Sequence, residues 1–163
     1  DVRGGETMGI AYIGIGGNLG DREKNVQDSL NVMTEEGIEV IQVASFIETA
    51  PYGGVEQPNF INTVCQIKTT LKPLELLKTL KTIESRIGRT PTVRWGPRLI
   101  DLDILLYDDL IVVEEGLQIP HQDMLNREFV LKPLAEIAPE AIHPVRGQTI
   151  REEWKLFQEK LNE

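Results

Sequence analysis

The sequence contains one cysteine, Cys65, among its 163 residues. A single thiol cannot form an intramolecular disulfide, so a fold held together by disulfides is excluded and an oxidising compartment is not indicated. Cys65 lies in the alternating apolar segment FINTVCQIKT, which favours a small core side chain over a nucleophile. The cysteine usage therefore indicates a protein of the cytoplasm.

Long apolar runs and excess positive charge are also missing. No stretch of about 18 apolar residues is present, and no basic start is followed by an apolar centre, so we expect neither a membrane span nor secretion. Lys and Arg number 17 against 26 Asp and Glu, giving a formal net charge of -9. This balance argues against electrostatically driven binding to nucleic acid or to an anionic membrane, and leaves small ligands as the expected partners.

The chain length fits one domain with a substantial core. Residues 1–8 are polar and glycine-rich without periodicity, and we interpret them as a tail or the remnant of a linker. We expect residues 9–163 to form a single domain.

Apolar periodicity predicts interleaved strands and helices. Strands are predicted for IAYIGIG, IEVIQVASF, FINTVCQIKT and IDLDILLY, and helices from Asp21 to about Met33 and from Pro73 to Gly88. The segment ETAPYGGVEQPN is predicted to be a loop. The strands are short and alternate in polarity, unlike those of a doubly wound parallel sheet. We therefore predict an α+β sandwich with helices on one face of a mostly antiparallel sheet.

The segment RWGPRLIDLDILLY sets two carboxylates, Asp101 and Asp103, one residue apart. In a strand they share a face with Leu105 and Tyr107, while the even-numbered residues from Ile100 to Leu106 form the core face. A divalent cation between the carboxylates would relieve their repulsion, and hard oxygen ligands suit magnesium. An amphipathic strand whose acids face water explains the same pattern without a metal.

Positive charge is concentrated just before this strand. The basic residues concerned are Arg86, Arg89, Arg94 and Arg98, followed later by Arg127. The Gly-Pro elbow of RWGPR can direct two arginines and Trp95 toward phosphates, although a solvated basic surface is an equal alternative for the arginines alone.

Other motifs are less specific. GIGGNLGD follows a strand and precedes a helix, but Leu19 occupies the position where a dinucleotide-binding fingerprint needs glycine, so we interpret its glycines as permitting a tight turn and close backbone packing. Asn62 on the third predicted strand offers both a donor and an acceptor to a heterocycle. His121 lies before a predicted helix with Arg127 and Phe129, and by itself it is more typical of a capping or satisfied surface histidine.

Taken in order along the chain, five segments carry a resemblance. They are YIGIGGNLGD, FINTV, RWGPRLIDLDILLY, IPHQDMLNREFVLKPLAEIAPE and the pair HP at residues 143–144. Between about residues 9 and 145 the chain resembles the 6-hydroxymethyl-7,8-dihydropterin pyrophosphokinases of folate biosynthesis. The block R-W-G-P-R-x-x-D-x-D followed by P-H-x-x-M-x-x-R-x-F is the most specific part of this similarity.

The resemblance implies a ferredoxin-like α+β fold and transfer of the β,γ-diphosphate of ATP to the pterin hydroxymethyl oxygen, with release of AMP. It implies two magnesium ions held by Asp101 and Asp103, which with Arg89 and Arg98 form the expected catalytic set. The expected nucleotide contacts are Glu84, Trp95, Ile104, His121 and Arg127. The expected pterin contacts are Thr49, Ala50, Pro51, Tyr52, Phe60, Asn62, Trp95 and Phe129.

The sequence departs from the family pattern at three positions. Gly17 replaces a common serine, Pro91 stands near the position of an additional loop arginine, and Gln122 replaces a tyrosine that can follow the histidine. The last two departures concern ATP contacts. The resemblance further implies a monomer, either alone or joined to another enzyme of the same pathway.

Two other functions remain open at this point. A non-catalytic ferredoxin-like module would bind a nucleotide or small ligand without turnover. A nucleotidyl transferase using the aspartate pair would release pyrophosphate instead of AMP.

Overall fold

The computed structural model describes residues 8–51, 54, 56–88 and 99–163. Its strands are β1 Gly9–Gly17, β2 Glu39–Val43, β3 Ile47–Thr49, β4 Phe60–Thr69, β5 Asp101–Tyr107, β6 Val112–Glu114 and β7 Leu117–Ile119. Its α-helices are α1 Arg22–Glu35, α2 Pro73–Ile87, α3 Glu128–Ile137 and α4 Ile150–Leu161, with a short 3-10 turn at Met124–Asn126.

The main sheet has five strands in the order β2-β4-β1-β5, with β3 also paired to β4. Every pairing in it is antiparallel. β6 and β7 form a separate two-stranded hairpin. The α+β class with a mostly antiparallel sheet and packed helices is therefore confirmed.

Both predicted helices begin where their N-terminal residues indicate, and α2 also ends at the predicted glycine. The Asp21 side chain accepts a hydrogen bond from the Lys24 main-chain N–H, so it caps α1 as expected. Pro73 is the first residue of α2. Gly88 ends α2 with a φ of 108°, a left-handed conformation that glycine adopts without steric cost.

Helices cover both faces of the sheet, so the expectation of helices on one face is wrong. On one face, α1 and α2 contribute Val26, Leu30, Met33, Leu76, Leu80 and Ile83 to a core that includes Ile13 and Leu102. On the other face, α3 and α4 contribute Val130, Leu131, Leu134 and Ile150 to a core that includes Val64 and Leu105. The central strands are buried on both sides because each face has its own helices, which is why the polarity of β4 alternates only weakly.

β5 contains a bulge that changes the predicted faces. Tyr12 pairs with Leu106 but Ile13 pairs with Ile104, so Leu105 is an extra residue on β5. Leu106 therefore joins Leu105 in the core under α3 and α4, and Tyr107 joins the opposite core. The predicted core face is right for Ile100, Leu102 and Ile104 and wrong for Leu106.

Cys65 is fully buried in the core under α1 and α2, which confirms its interpretation as a core residue. Burial raises the pKa of its thiol from 9.0 to about 12 because the thiolate would lose its solvation. Within the described ranges, no helix is both long and apolar enough to cross a membrane.

Candidate active site

The site is organised by a row of residues across three strands. Gly16 on β1 lies opposite Asn62 on β4 and, on its other side, opposite Asp101 on β5. Adjacent strands lie about 4.8 Å apart, so the Cα atoms of Asn62 and Asp101 are separated by roughly 10 Å. This row brings one residue expected to contact the pterin and one expected to bind metal onto the same face of the sheet.

The two aspartates are positioned as the strand alternation predicts. Asp101 is half-buried, Asp103 is exposed, and Leu102 between them is buried in the opposite core. The polar face they share is the one that α3 and α4 cover farther along β5.

This pair fits a magnesium ion that is shared with a nucleotide. Magnesium is usually held by one or two carboxylates together with substrate phosphates and water. Among the residues that the structure describes, no cluster of three His, Cys, Asp or Glu side chains could hold a metal by itself. A carboxylate pair without a third protein ligand therefore suits an ion that arrives with ATP.

Glu84 has a different position from the one expected of a simple nucleotide contact. It is 2% exposed, and its Oε2 accepts a hydrogen bond of 2.8 Å from the main-chain N–H of Leu102. Its Oε1 lies 3.5 Å from the Lys81 Nζ. Glu84 thus joins α2 to the edge strand β5 at the residue that separates the two aspartates.

Asn62 is oriented by the neighbouring strand. Its side chain is 6% exposed, and its Nδ2 donates a hydrogen bond of 2.8 Å to the Thr49 Oγ1 on β3. Phe60 lies opposite Thr49 in the same ladder and is half-buried. The structure therefore brings together three of the expected pterin residues on β3 and β4.

A cavity of about 460 Å³ opens beside these strands. It is lined by Ile47, Glu48, Thr49, Ala50, Asn126, Glu128, Phe129, Lys132 and Phe157. Three expected pterin residues, Thr49, Ala50 and Phe129, are part of this lining. Pro51 follows directly in the chain and is half-buried.

His121 and Arg127 are held near β5 by a short network. The His121 main-chain N–H donates to the Leu105 carbonyl at 3.0 Å, and the His121 Nδ1 accepts from the Asp123 main-chain N–H at 3.2 Å. A neutral imidazole whose Nδ1 is an acceptor carries its proton on Nε2, which can then donate to a phosphate oxygen. Arg127 forms an ion pair with Asp123 at 3.4 Å, and its guanidinium carbon lies 5.7 Å from the centroid of the Phe129 ring.

Two expectations are limited by burial or by position in the fold. Ile104 is 4% exposed and packs in the core under α1 and α2, so its side chain lies on the opposite face of β5 from Asp101 and Asp103. Arg86 forms ion pairs with Glu35 and Glu36 at 3.0 Å and 3.4 Å, which is the solvated basic surface that the sequence left open. Tyr52, Arg89, Arg94, Trp95 and Arg98, with Pro91, lie outside the described residues.

The glycine-rich first segment has a role that the sequence did not reveal. Gly14, Gly16 and Gly17 belong to β1 rather than to a turn, and only Gly20 has the positive φ, 66°, of a turn glycine. Asn18, which the sequence reasoning passed over, is 1% exposed and donates through Nδ2 to the Gln57 Oε1 and the Pro58 carbonyl, both at 2.8 Å. These hydrogen bonds connect the loop before β4 to the end of β1. The position of Asn18 in the sequence does not indicate this role.

Comparison with known proteins identifies the family. The sequence model of the 7,8-dihydro-6-hydroxymethylpterin-pyrophosphokinase family matches residues 12–139. The chain belongs to this family. It is 42% identical over 151 residues to the 2-amino-4-hydroxy-6-hydroxymethyldihydropteridine pyrophosphokinase of Haemophilus influenzae, covering 92% of this chain and 94% of that protein. Its identity to the Aquifex aeolicus protein of the same name is 38% over 145 residues, covering 89% of this chain and 90% of the other.

Members of the pyrophosphokinase family also occur within longer proteins. The chain is 42% identical to the folic acid synthesis protein fol1 of Schizosaccharomyces pombe, covering 88% of this chain and 20% of that protein. It therefore spans about a fifth of the length of that relative. Plasmodium falciparum HPPK-DHPS A437G with pteroate superposes with a TM-score of 0.77 at 17% identity, covering 97% of this chain and 42% of that one, which supports the fold.

Proposed function

We propose that this chain transfers diphosphate from ATP to the hydroxymethyl oxygen of 6-hydroxymethyl-7,8-dihydropterin and releases AMP, as a step of folate biosynthesis in the cytoplasm. The observation that carries the proposal is the row Asn62, Gly16 and Asp101 on one sheet face. An amide that can bind a heterocycle and a carboxylate that can bind a metal lie on either side of β1, as a reaction between a pterin and a metal-bound nucleotide requires.

Asp101 and Asp103 would hold two magnesium ions together with the ATP phosphates. Magnesium there would neutralise the negative charge of the diphosphate group and polarise its oxygens. The protein supplies the rest by orientation. Glu84 fixes the β5 main chain between the two aspartates, and the His121 Nε2 is available to donate to a phosphate oxygen.

The pterin would bind at the β3 and β4 side of the row. Asn62 would meet the amide-like edge of the ring, while Phe129 and Phe60 would cover its faces, because a flat polar bicycle needs in-plane partners and stacking surface together. Arg127, close to the Phe129 ring and paired with Asp123, would contribute positive charge toward the nucleotide.

Arg89, Arg98 and Trp95 complete the proposed site. We expect the two arginines to act on the charge that develops as diphosphate is transferred, and Trp95 to contact both substrates. Arg98→Ala would then lower the rate of the chemical step more than it weakens ATP binding. Equal losses in single-turnover rate and in ATP affinity would indicate ground-state binding instead.

The proposal extends to how the chain is organised. We expect residues 9–163 to act as one pyrophosphokinase domain and to be a monomer. The relatives include proteins whose names report several activities, such as the bifunctional protein FolKE of Lactococcus lactis, 40% identical over 131 residues. Joining to another enzyme of the pathway is consistent with both the family and the proposed reaction.

The nucleotide product tests the function directly. Incubation with ATP, magnesium and 6-hydroxymethyl-7,8-dihydropterin should yield AMP and the pterin diphosphate in equal amounts. Release of pyrophosphate would identify a nucleotidyl transferase. Binding of both ligands without any product would indicate a non-catalytic module.

A further inference from the structure

A close contact links Gly16 to the carboxamide of Asn62. A Cβ placed on Gly16 would lie 2.5 Å from the Asn62 Oδ1, well inside van der Waals contact. The next nearest atoms, the Asn62 Cγ and the Ile61 carbonyl oxygen, would be 3.5 Å and 3.6 Å away, which are ordinary contact distances. The carboxamide oxygen alone therefore occupies the space that any side chain at Gly16 would need.

Backbone conformation does not explain the glycine. Gly16 lies inside the central strand β1, paired on both sides, and it has no positive φ. Glycine in a strand interior weakens the strand, since it adds conformational entropy to the unfolded chain and offers no side chain to pack. Alanine would be the more stable choice if only the backbone mattered. The contact with Asn62 is the feature that disfavours alanine at this position.

Asn62 has little freedom to give way. Its side chain is 6% exposed and is tied at the other end, because Nδ2 donates to the Thr49 Oγ1 at 2.8 Å. Moving Oδ1 away from a new methyl group would rotate the whole carboxamide and stretch this hydrogen bond. The orientation of the amide is thus set from two sides, by Thr49 and by the absence of a side chain at residue 16.

From this geometry we infer that Gly16 is a positioning residue for pterin recognition. Because Gly16 has no side chain, the Asn62 carboxamide oxygen can occupy the space beside it, and this fixes the orientation of the amide group that meets the pterin edge. The inference rests on the proposed function, since it takes a pterin as the ligand of Asn62. It adds a residue that touches no substrate and acts only through Asn62.

Gly14 offers a matched control on the same strand and the same face. A Cβ on Gly14 would lie 3.5 Å from the Leu105 Cδ2, an ordinary contact with an apolar side chain. Gly14 also has no positive φ. Gly14→Ala therefore makes the same chemical change two residues away without displacing a polar group.

The test measures pterin and nucleotide affinities separately. Titration calorimetry with 6-hydroxymethyl-7,8-dihydropterin in the presence of a non-hydrolysable ATP analogue should show binding weakened about tenfold or more in Gly16→Ala, and by less than about twofold in Gly14→Ala. Affinity for the ATP analogue alone should change by less than about twofold in both variants. Unchanged pterin affinity in Gly16→Ala, or an equal loss in Gly14→Ala, would overturn the inference.

A second pair of variants separates positioning from a general effect on the strand. In an Asn62→Ala background, adding Gly16→Ala should cause no further loss of pterin affinity, because the carboxamide it would displace is gone. Independent, additive losses would refute a role through Asn62. If Gly16→Ala alone lowers the melting temperature, the double variant should recover the melting temperature of Asn62→Ala. If the melting temperature is not recovered, the destabilisation comes from the strand itself and the inference is refuted.

The wild-type protein separates this inference from the proposed function. If wild type binds the ATP analogue but not the pterin, the proposed function fails. If wild type binds both and Gly16→Ala binds the pterin equally well, only the inference fails.

Discussion

The carboxylate of Glu84 accepts a hydrogen bond of 2.8 Å from the main-chain N–H of Leu102, the residue between Asp101 and Asp103. β5 lies at the edge of the main sheet, so this N–H faces away from β1 and depends on Glu84 for an acceptor. A helix side chain thus holds the strand at the point where it carries the proposed metal ligands. One buried acid thus contributes both to the stability of the fold and to the position of the proposed metal ligands.

The first prediction concerns Glu84. Glu84→Leu removes the acceptor and should lower the free energy of unfolding by about 1–3 kcal/mol, the usual cost of an unpaired buried donor. Glu84→Gln retains an oxygen that can accept from Leu102 and should lose less stability. Urea unfolding of both variants checks this. If Glu84 served only as a nucleotide contact, ATP affinity would fall in both variants with stability unchanged.

The second prediction concerns the aspartate pair. Asp101→Ala and Asp103→Ala should each lower turnover by about a hundredfold or more, because the carboxylates hold the ion that offsets charge on the diphosphate. Their melting temperatures should stay close to wild type, since the buried neighbours Leu102 and Ile104 are untouched. Rates of AMP formation over a range of magnesium concentrations provide the measurement.

Asp109→Ala is the matched control for the aspartate pair. Asp109 is an exposed acid two residues beyond the end of β5 at Tyr107, so it carries the same charge outside the strand. It should keep wild-type turnover. Ordinary activity in Asp103→Ala at low magnesium would contradict a metal-binding role for the pair.

The third prediction concerns the pterin contacts Asn62 and Phe129, and it separates pterin affinity from nucleotide affinity. Asn62→Ala should cost about 1–3 kcal/mol of pterin binding free energy, because it leaves the polar edge of the ring unpaired. Phe129→Ala should also weaken the pterin and should leave binding of an ATP analogue unchanged. Calorimetric titrations with each ligand give both affinities.

Phe157→Ala is the control for Phe129. Phe157 lines the same cavity but lies on α4, stacked on Trp154 with ring centroids 5.8 Å apart. We expect its removal to leave pterin affinity unchanged, since the pterin must reach Asn62 on the sheet. A loss of pterin affinity equal to that of Phe129→Ala would indicate that the pterin binds in the cavity beside α4.

The fourth prediction concerns Cys65. Burial raises the pKa of its thiol to about 12, so at pH 8 the native protein should react very slowly with a thiol reagent and rapidly in urea. The unfolded thiol ionises near its ordinary value of 9.0. Because the unfolded state then releases a proton that the folded state keeps, this group lowers stability as the pH rises above 9.0. Cys65→Ala should reduce that alkaline loss, as seen by unfolding at pH 8 and pH 10.

The sequence predicted what depends on local patterns. The caps at Asp21, Pro73 and Gly88 and the alternation around Asp101 and Asp103 are set by neighbours within a few residues, and the structure agrees with them. The family resemblance also pointed to Asn62 as a ligand contact. Its partner in the structure, Thr49, lies on an adjacent strand and could be identified only after the strands were paired.

Features that depend on distant segments were missed. The bulge at Leu105 follows from the pairing of β1 with β5, so the alternation alone assigned Leu106 to the wrong face. Glu84 was predicted as a nucleotide contact, but its hydrogen bond to the Leu102 main chain could be identified only after β5 was packed beside α2. Gly16 was interpreted as a glycine for a tight turn and close backbone packing, but its close neighbour could not be named because Asn62 is 46 positions away along the chain.

The row Asn62, Gly16 and Asp101 has a consequence for how this protein tolerates change. The separation across the row follows from the main-chain pairing of β4, β1 and β5. Core substitutions under α1 or α4 should therefore lower the fraction of folded molecules, while each folded molecule keeps the spacing between Asn62 and Asp101. Variants with altered cores should then keep the distance between the proposed pterin side and the proposed metal side of the site for as long as they fold.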